Sequence, residues 1–273
     1  MQQAITEQTI LISIGLVNSE IGSIQPIDRF GRLIKKLNQH RYTAWLNSSP
    51  RKRGEKPRAI YFHTDATQAF NSLDCNVLKF HVDAMSLSGH KIYGPKGVGV
   101  LFVKRDTPLE PLQYGGHQER NLRSGTLNVS GIIGLAEAMM IANKDRKIFV
   151  SKITNLRNYF VKKLIKLIPE AILTIDSKNI NPAHAHFLFK GVAGDALLVT
   201  LDELGVAVST GSACASGNVS VSHVVKALGY EEDLASSAIR FTLGRLTTKK
   251  ELDQAVKLIL KAYTKCLKAG LGV

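Results

Sequence analysis

The chain has 273 residues, which is long enough for one large domain or two small ones and excludes a disulfide-stapled mini-protein. Hydrophobic residues make up 44% and charged residues 21% of the sequence, which is typical of a globular protein and excludes a disordered or fibrous chain. The 36 Lys and Arg residues against 22 Asp and Glu residues give a formal charge of +14, which suits nucleic acid, an acidic partner or an anionic ligand.

The basic residues are spread along the chain, and this distribution argues against a nucleic-acid surface. The dense stretch 51–58 reads RKRGEKPR and has no interleaved aromatic residue on which a base could stack. We interpret it as a solvated loop and expect no direct nucleic-acid binding.

The sequence carries no membrane, secretion or metal-binding signal. It has no run of 18 apolar residues, and its N-terminus has no basic segment followed by an apolar core, so we expect neither a membrane span nor a signal peptide. Cys75, Cys214 and Cys266 lie far apart and form no Cys-x-x-Cys pair, which favours the reducing cytoplasm and argues against a metal site.

The predicted elements alternate between strands and helices. An apolar, β-rich run predicts a strand at 9–17, an amphipathic helix follows Pro26, and 41–58 is expected to be a loop. Further strands are predicted at 59–62, 84–87, 97–103, 185–189, 206–209 and 237–243, with helices at 130–168, 194–204 and 220–228. A capping box at Thr248 and Glu251 opens the last helix.

This alternation predicts an α/β fold with a mainly parallel sheet, whose ligands collect at the carboxyl ends of the strands. The polar segment 143–147 indicates a boundary between two domains, at 1–145 and 146–273.

The strongest chemical signal is the stretch SGHKIYGPKG at 88–97, which places Lys91 just after a predicted strand. Lysine amines form Schiff bases with aldehydes, and pyridoxal phosphate is the aldehyde that proteins commonly hold in this way. Ser88 and His90 would supply donors to its phosphate, while Gly89 permits close backbone approach. The alternative is a turn with an exposed lysine.

Two further signals accompany this lysine. Asp65 ends a predicted strand, where its carboxylate could pair with a pyridinium nitrogen or could simply cap a helix. Cys214 lies among small residues in VSTGSACASG at 208–217, which fits a mobile loop that presents a thiol, the alternative being a buried, inert cysteine.

These three signals, in this order, resemble the cysteine desulfurases of the class V aminotransferase family. The similarity covers essentially the whole chain, and the GSAC loop resembles the branch that serves iron–sulfur cluster assembly and tRNA thiolation. The agreeing stretches are VNSEIGSIQP at 17–26, DATQ at 65–68, GGHQER at 115–120, RSGT at 123–126 and SAIRF at 237–241. The resemblance implies the fold type I of pyridoxal-phosphate enzymes, with a partial large domain and a smaller C-terminal α/β domain.

The resemblance also implies a role for particular residues around the cofactor. Lys91 would hold pyridoxal phosphate covalently and later move the substrate's α-proton. Asp65 would pair with the ring nitrogen, and Gln68 would hydrogen-bond the ring hydroxyl. Ser88 and His90 would bind the phosphate.

The remaining implied roles concern the substrate and a second subunit. Thr126 would reach the phosphate of the neighbouring subunit in a homodimer, while Asn18 and Ser19 would lie near the ring hydroxyl. Arg240 would bind the carboxylate of L-cysteine through its planar fork of donors. Cys214 would attack the substrate sulfur, leave L-alanine, and pass its persulfide sulfur to an acceptor protein or iron–sulfur scaffold.

Two departures from the family pattern leave alternatives open. Ser19 stands where the family has a second asparagine. The match begins at a strand in the middle of the family's large domain, so its first third, with a phosphate-binding Gly-Ala-Thr loop and a ring-stacking histidine, has no counterpart here. We therefore expect weak or absent cofactor binding by the 273 residues alone. The alternatives are a catalytically impaired remnant that acts as a binding protein, and a selenocysteine lyase-like enzyme.

Overall fold

The computed structural model describes residues 1–48, 57–175, 179–211 and 221–272, and the chain divides into two compact units. The first comprises Met1–Val17 and Gln25–Asp145, and the second comprises Asn18–Ile24 and Arg146–Val273. Segment 18–24 joins the second unit because its backbone pairs there: Ser23 bridges Ile180, and the Asn181 amide donates to the Gly22 carbonyl at 2.8 Å. The basic stretch at 51–56 and Cys214 lie outside the described residues.

The first unit contains a four-stranded sheet in the order β1-β2-β3-β4. Its strands are β1 (Leu11–Gly15), β2 (Tyr61–Asp65), β3 (Ala84–Ser88) and β4 (Gly99–Val103). The first three are parallel and β4 runs antiparallel to β3, which confirms the expected α/β fold. Strand β2 ends at Asp65 rather than at 62, because Thr64 is fully buried and donates to the Ile14 carbonyl of β1 at 2.8 Å.

Three helices accompany this sheet: α1 (Ile27–Asn47), α2 (Val77–Phe80) and the first part of α3 (Val129–Leu167). The expected loop at 41–58 is wrong for residues 41–47, which continue α1. Hydrogen bonds to distant backbone extend the helix: Arg41 donates to the Thr6 and Thr9 carbonyls, and Asn38 exchanges two bonds with Ile60 at 2.8 Å each. Such long-range contacts override local propensity.

The two faces of the sheet differ. One face carries the buried Phe62, Met85 and Leu87. The other carries an exposed Leu11 and a chain of hydrogen bonds in which the two ring nitrogens of His63 contact Ser13 Oγ and Ser86 Oγ, each at 2.8 Å.

The second unit contains an antiparallel sheet in the order β5-β6-β7. Its elements are β5 (Ala171–Leu173), β6 (His184–Phe189), α4 (Gly194–Glu203), α5 (His223–Ala227), α6 (Glu232–Ser236), β7 (Ala238–Thr242) and α7 (Lys249–Lys268). Strand β6 is buried along its whole length, and Phe160, Phe187, Phe189 and Phe241 pack ring to ring in the core.

Two local expectations for this unit have different outcomes. The capping box at the start of α7 is confirmed, since Thr248 and Glu251 exchange side-chain and backbone hydrogen bonds. The strand expected at 206–209 is wrong, because only Ser209 pairs, in an isolated bridge to Arg240 of β7.

No helix in the described ranges is long and apolar enough to cross a membrane. Across those same ranges, no group of three or more His, Cys, Asp or Glu residues is arranged to hold a metal ion.

Candidate active site

Lys91 lies on a tight turn that directly follows a buried strand. Strand β3 ends at Ser88, and Gly89–Ile92 form one 3₁₀ turn that ends at Tyr93 in the left-handed conformation (φ 65°). Ile92 is buried at 3% exposure and anchors the turn, whereas Lys91 is exposed. The turn therefore projects the amine outward from the carboxyl end of the sheet.

Glycine is required at position 89 for this geometry. A Cβ there would lie 2.8 Å from the Pro95 carbonyl oxygen and 3.0 Å from Val98 Cγ1, both closer than ordinary contact. The Gly89 amide also donates to the Val98 carbonyl, and its own carbonyl accepts from the Gly94 amide, each at 2.9 Å. The segment 94–98 thus packs directly onto the turn that carries Lys91.

A hydroxyl and an imidazole accompany the lysine. Ser88 Oγ lies 2.8 Å from His90 Nδ1, so these two side chains form one hydrogen-bonded pair at the end of β3. Hydroxyl and ring N–H groups are donors that suit an anion such as phosphate.

Asp65 ends β2, the parallel neighbour of β3, and lies opposite Ser86 in the strand register. Its Oδ1 accepts from the Thr67 amide at 2.8 Å, so the residue does cap the following turn. That contact occupies one carboxylate oxygen; the other accepts no hydrogen bond from the described residues, so turn capping does not exclude a second role. Gln68 follows in the same turn and is half-buried.

Thr126 lies in an exposed turn shortly before α3. The preceding Gly125 has a φ of 109°, and its amide donates to Gln118 Oε1 at 3.1 Å. The side chain of Thr126 faces solvent in this chain.

Arg240, Asn18 and Ser19 belong to the second unit. The Arg240 guanidinium donates from Nη1 to the Ser19 carbonyl at 2.7 Å. Asn18 Oδ1 accepts from the amides of Glu20 and Ile21 at 2.9 and 3.0 Å, so its side-chain oxygen holds a turn.

The backbone of Arg240 lies between two neighbours. His186 of β6 is its cross-strand partner on one side, and Ser209 exchanges two backbone hydrogen bonds with it on the other, at 2.7 and 3.3 Å. Ser209 is in the segment that leads to Cys214. Cys214 itself lies outside the described residues, while Cys75 and Cys266 are buried.

Sequence reasoning missed a buried polar cluster around Arg240. Glu20 and His186 are 2% and 1% exposed, and His186 Nδ1 contacts Thr174 Oγ1 at 2.6 Å. Burial, with the nearby charges of Arg240 and His184, lowers the pKa of His186 to about 4. Two histidines inside the apolar strand HAHFLF were a signal that could have indicated it.

The residues of the first unit fit pyridoxal phosphate by the chemistry of their donor set. An exposed amine, a carboxylate, a hydroxyl and an imidazole are carried at or just after the carboxyl ends of two adjacent parallel strands. These groups match an aldehyde, a pyridinium nitrogen and a phosphate.

Comparisons with known proteins agree with this fold. The profile of the aminotransferase class-V family matches residues 52–255. A cysteine desulfurase IscS of Dictyoglomus turgidum is 38% identical over 265 residues, which cover 97% of this chain and 62% of that protein. A NifS-like protein of known structure superimposes with a TM-score of 0.82 at 31% identity, over 97% of this chain and 64% of that one. The structure titled SspA in complex with cysteine gives a TM-score of 0.66 at 31% identity, over 89% and 61%.

The chain thus spans somewhat less than two thirds of the length of these relatives. The family profile nevertheless covers residues in both units, from the segment before β2 to the second turn of α7. Together with the strand order and the lysine turn, this match shows that the chain belongs to the class V aminotransferase family.

Proposed function

We propose that this chain is a pyridoxal-phosphate-dependent cysteine desulfurase that converts L-cysteine to L-alanine and retains the sulfur as a persulfide on Cys214. The observation that carries the proposal is the edge where β2 and β3 end, at which Asp65 lies beside the turn of Ser88, His90 and Lys91. Relatives named cysteine desulfurase and the cysteine complex of SspA support this choice of substrate.

The first-unit residues would hold the cofactor and move protons. When bound, pyridoxal phosphate withdraws electrons from the bonds of the substrate's α-carbon. Asp65 would hold a proton on the ring nitrogen through its carboxylate, and Ser88 and His90 would donate to the phosphate oxygens. The Lys91 amine would bind the aldehyde carbon and carry the proton at the substrate's α-carbon.

Other residues would complete the cofactor contacts. Gln68 would donate to the ring hydroxyl, and Asn18 and Ser19 would lie near it. We further propose a cytoplasmic homodimer in which Thr126 binds the phosphate held by the partner subunit, which would give its exposed hydroxyl a role.

The second-unit residues would bind substrate and take up sulfur. Arg240 would bind the substrate carboxylate with donors that its bond to Ser19 leaves available. The Cys214 thiolate would attack the cysteine sulfur; an S–S bond forms, the C–S bond breaks, and its electron pair stays with carbon, which a proton then converts to alanine. The persulfide sulfur would pass to an acceptor protein or iron–sulfur scaffold.

The proposal is tested by trapping the lysine. The chain is incubated with millimolar pyridoxal phosphate, reduced with borohydride and digested, and the modified lysine is identified by mass spectrometry. We expect saturable modification at Lys91 and its loss in Lys91→Arg, whereas Lys96→Arg, a neighbouring exposed lysine, is the matched control and leaves the modification intact.

The same preparation is then given L-cysteine, and alanine and protein persulfide are quantified. Equal amounts of both products, absent in Lys91→Arg, support the proposal. Modification distributed over many lysines with no preference for Lys91, or alanine release that survives Lys91→Arg, would overturn it.

A further inference from the structure

Helix α7 carries a run of lysines along one side. The sequence of residues 254–268 reads QAVKLILKAYTKCLK, with four lysines and no acidic residue. The lysines are four, four and three positions apart, which places them on the same side of a helix. All four are exposed, and the distance along the helix axis from the first to the last is about 16 Å. We call this set the lysine stripe; it consists of Lys257, Lys261, Lys265 and Lys268.

The apolar face of α7 is already occupied by the core of the second unit. Its buried residues are Leu252, Val256, Ile259, Ala262, Tyr263 and Cys266. A basic amphipathic helix binds a membrane surface by placing its apolar face in the lipid. Because the core covers that face, the lysine stripe is the side that α7 offers to a partner.

Three of the four lysines have no counter-charge in the part of the chain that the structure describes. Lys257, Lys261 and Lys268 form neither an ion pair nor a side-chain hydrogen bond there. Lys265 differs, since its ammonium contacts Glu203 of α4 at 3.0 Å. The stripe therefore keeps most of its positive charge.

The local stability of α7 does not explain this arrangement. Like charges four positions apart destabilise a helix, so Lys257, Lys261 and Lys265 oppose its formation as two successive pairs. The helix dipole favours cations in the last turn, which accounts for Lys265 and Lys268. Lys257 and Lys261 lie before that turn, so their charges bring a cost that folding alone does not require.

The stripe borders an open groove of about 610 Å³ on the surface of α7. The half-buried Leu260, which packs on the core, and Ala269 also line this groove. Thr264 lies between them, and its hydroxyl donates to the Leu260 carbonyl at 2.8 Å. The groove thus combines several positive charges with a small apolar area.

We propose that the lysine stripe is a docking surface for an acidic helix of a partner protein. Carboxylates at positions i, i+4 and i+11 of such a helix have the spacing of the three lysines without a counter-charge, and an apolar side chain beside them would contact Leu260. A phosphate backbone would use the charges without the apolar contact. None of the described residues that line the groove is aromatic, so a nucleic-acid base would have no ring on which to stack. This inference does not depend on the proposed function.

The test is an NMR titration of the chain with a synthetic acidic helix. The probe is an Ala-rich peptide of about 15 residues with Glu at i, i+4 and i+11 and Leu at i+3. We expect saturable shifts of backbone amides concentrated at residues 257–269. Combining Lys257→Gln, Lys261→Gln and Lys268→Gln is expected to weaken binding about tenfold, since each exposed ion pair contributes a factor of about two to three.

The matched control removes the same charge elsewhere. It combines Lys35→Gln, Lys36→Gln and Lys147→Gln, three exposed lysines outside α7, and is expected to keep the parental affinity within about twofold. A second peptide of the same composition, with its Glu residues distributed around the helix, is expected to bind the parent chain more weakly. The stripe variant is also expected to keep or raise the free energy of unfolding, because it relieves repulsion between like charges.

Equal losses of affinity in the stripe variant and the control variant would overturn the proposal, since the peptide would then respond to net charge alone. Equal affinities for the two peptides, amide shifts centred outside 257–269 or the absence of saturable binding would overturn it as well. A lower free energy of unfolding in the stripe variant would assign the lysines a structural role instead. A single-stranded oligonucleotide or phosphatidylserine vesicles that depend on the stripe more strongly than the acidic peptide would assign the surface to another class of partner and refute the proposal.

Discussion

Protonation of the buried His186 should make the stability of the second unit depend on pH. Its pKa is lowered from 6.5 to about 4 by burial and by Arg240 and His184, while Glu20 lies 3.8 Å from Nε2. A histidine with a lowered pKa in the folded state binds protons more readily when unfolded. The free energy of unfolding therefore falls as the pH drops through 6.5 and stops falling below about 4.

The size of the effect follows from the two pKa values. At about pH 5 His186 is protonated in almost every unfolded molecule but in roughly one folded molecule in ten. This difference lowers the free energy of unfolding by about 2 kcal/mol. In His186→Asn this contribution is absent, so the difference in unfolding free energy between about pH 7 and about pH 5 should shrink by about 2 kcal/mol.

Urea unfolding at the two pH values measures this difference for the parent and for His186→Asn. His40→Asn is the matched control: His40 is exposed, so we expect this variant to keep the parent's pH dependence. NMR titration of the ring protons checks the protonation of His186 directly. Parallel pH dependences for the parent and His186→Asn, or a His186 that titrates near 6.5, would refute the reasoning.

Three further predictions concern the candidate site. Asp65→Ala is expected to slow alanine release at least about tenfold, the equivalent of about 1.4 kcal/mol, because the ring nitrogen of the cofactor would lose its proposed counter-charge. An unchanged rate would mean that Asp65 only caps the turn. Cys214→Ser is expected to keep the borohydride-trapped cofactor and to form neither persulfide nor alanine, and products at the parental rate would remove Cys214 from the mechanism. Gly89→Ala is expected to lower the free energy of unfolding by about 1–3 kcal/mol and to reduce cofactor trapping at Lys91, because the added Cβ would press on the Pro95 carbonyl. Urea unfolding measures the first effect and mass spectrometry the second. Parental values in both measurements would mean that the turn tolerates a side chain.

The sequence predicted the strand and turn that carry Lys91, because the residues that form them are local in sequence. Ser88, His90 and Lys91 are consecutive or nearly so, and a strand followed by a glycine-containing turn predicts where they project. The capping box of α7 was also predictable, since its two partners are three residues apart. The general rule that parallel strands end at one edge of a sheet predicted that Asp65 lies near these residues.

Elements stabilised by distant contacts were predicted less well. Residues 41–47 belong to the basic segment 41–58, whose Ser and Pro residues favour a loop, yet Arg41 binds two carbonyls more than 30 positions away and the helix continues. The expected strand at 206–209 contributes one bridge only, because strand formation depends on a partner whose position the local sequence does not contain.

The sequence by itself determined the α/β alternation, the lysine turn and the family, because periodicity, turn chemistry and motif spacing act over a few residues. Only the tertiary structure decided the environment of Glu20, His186 and Arg240, which are separated by up to 220 positions and meet in one buried cluster. Whether a glutamate is a solvated surface charge or a buried carboxylate depends on how much water the rest of the fold removes from around it, and that desolvation is a property of the packed chain as a whole.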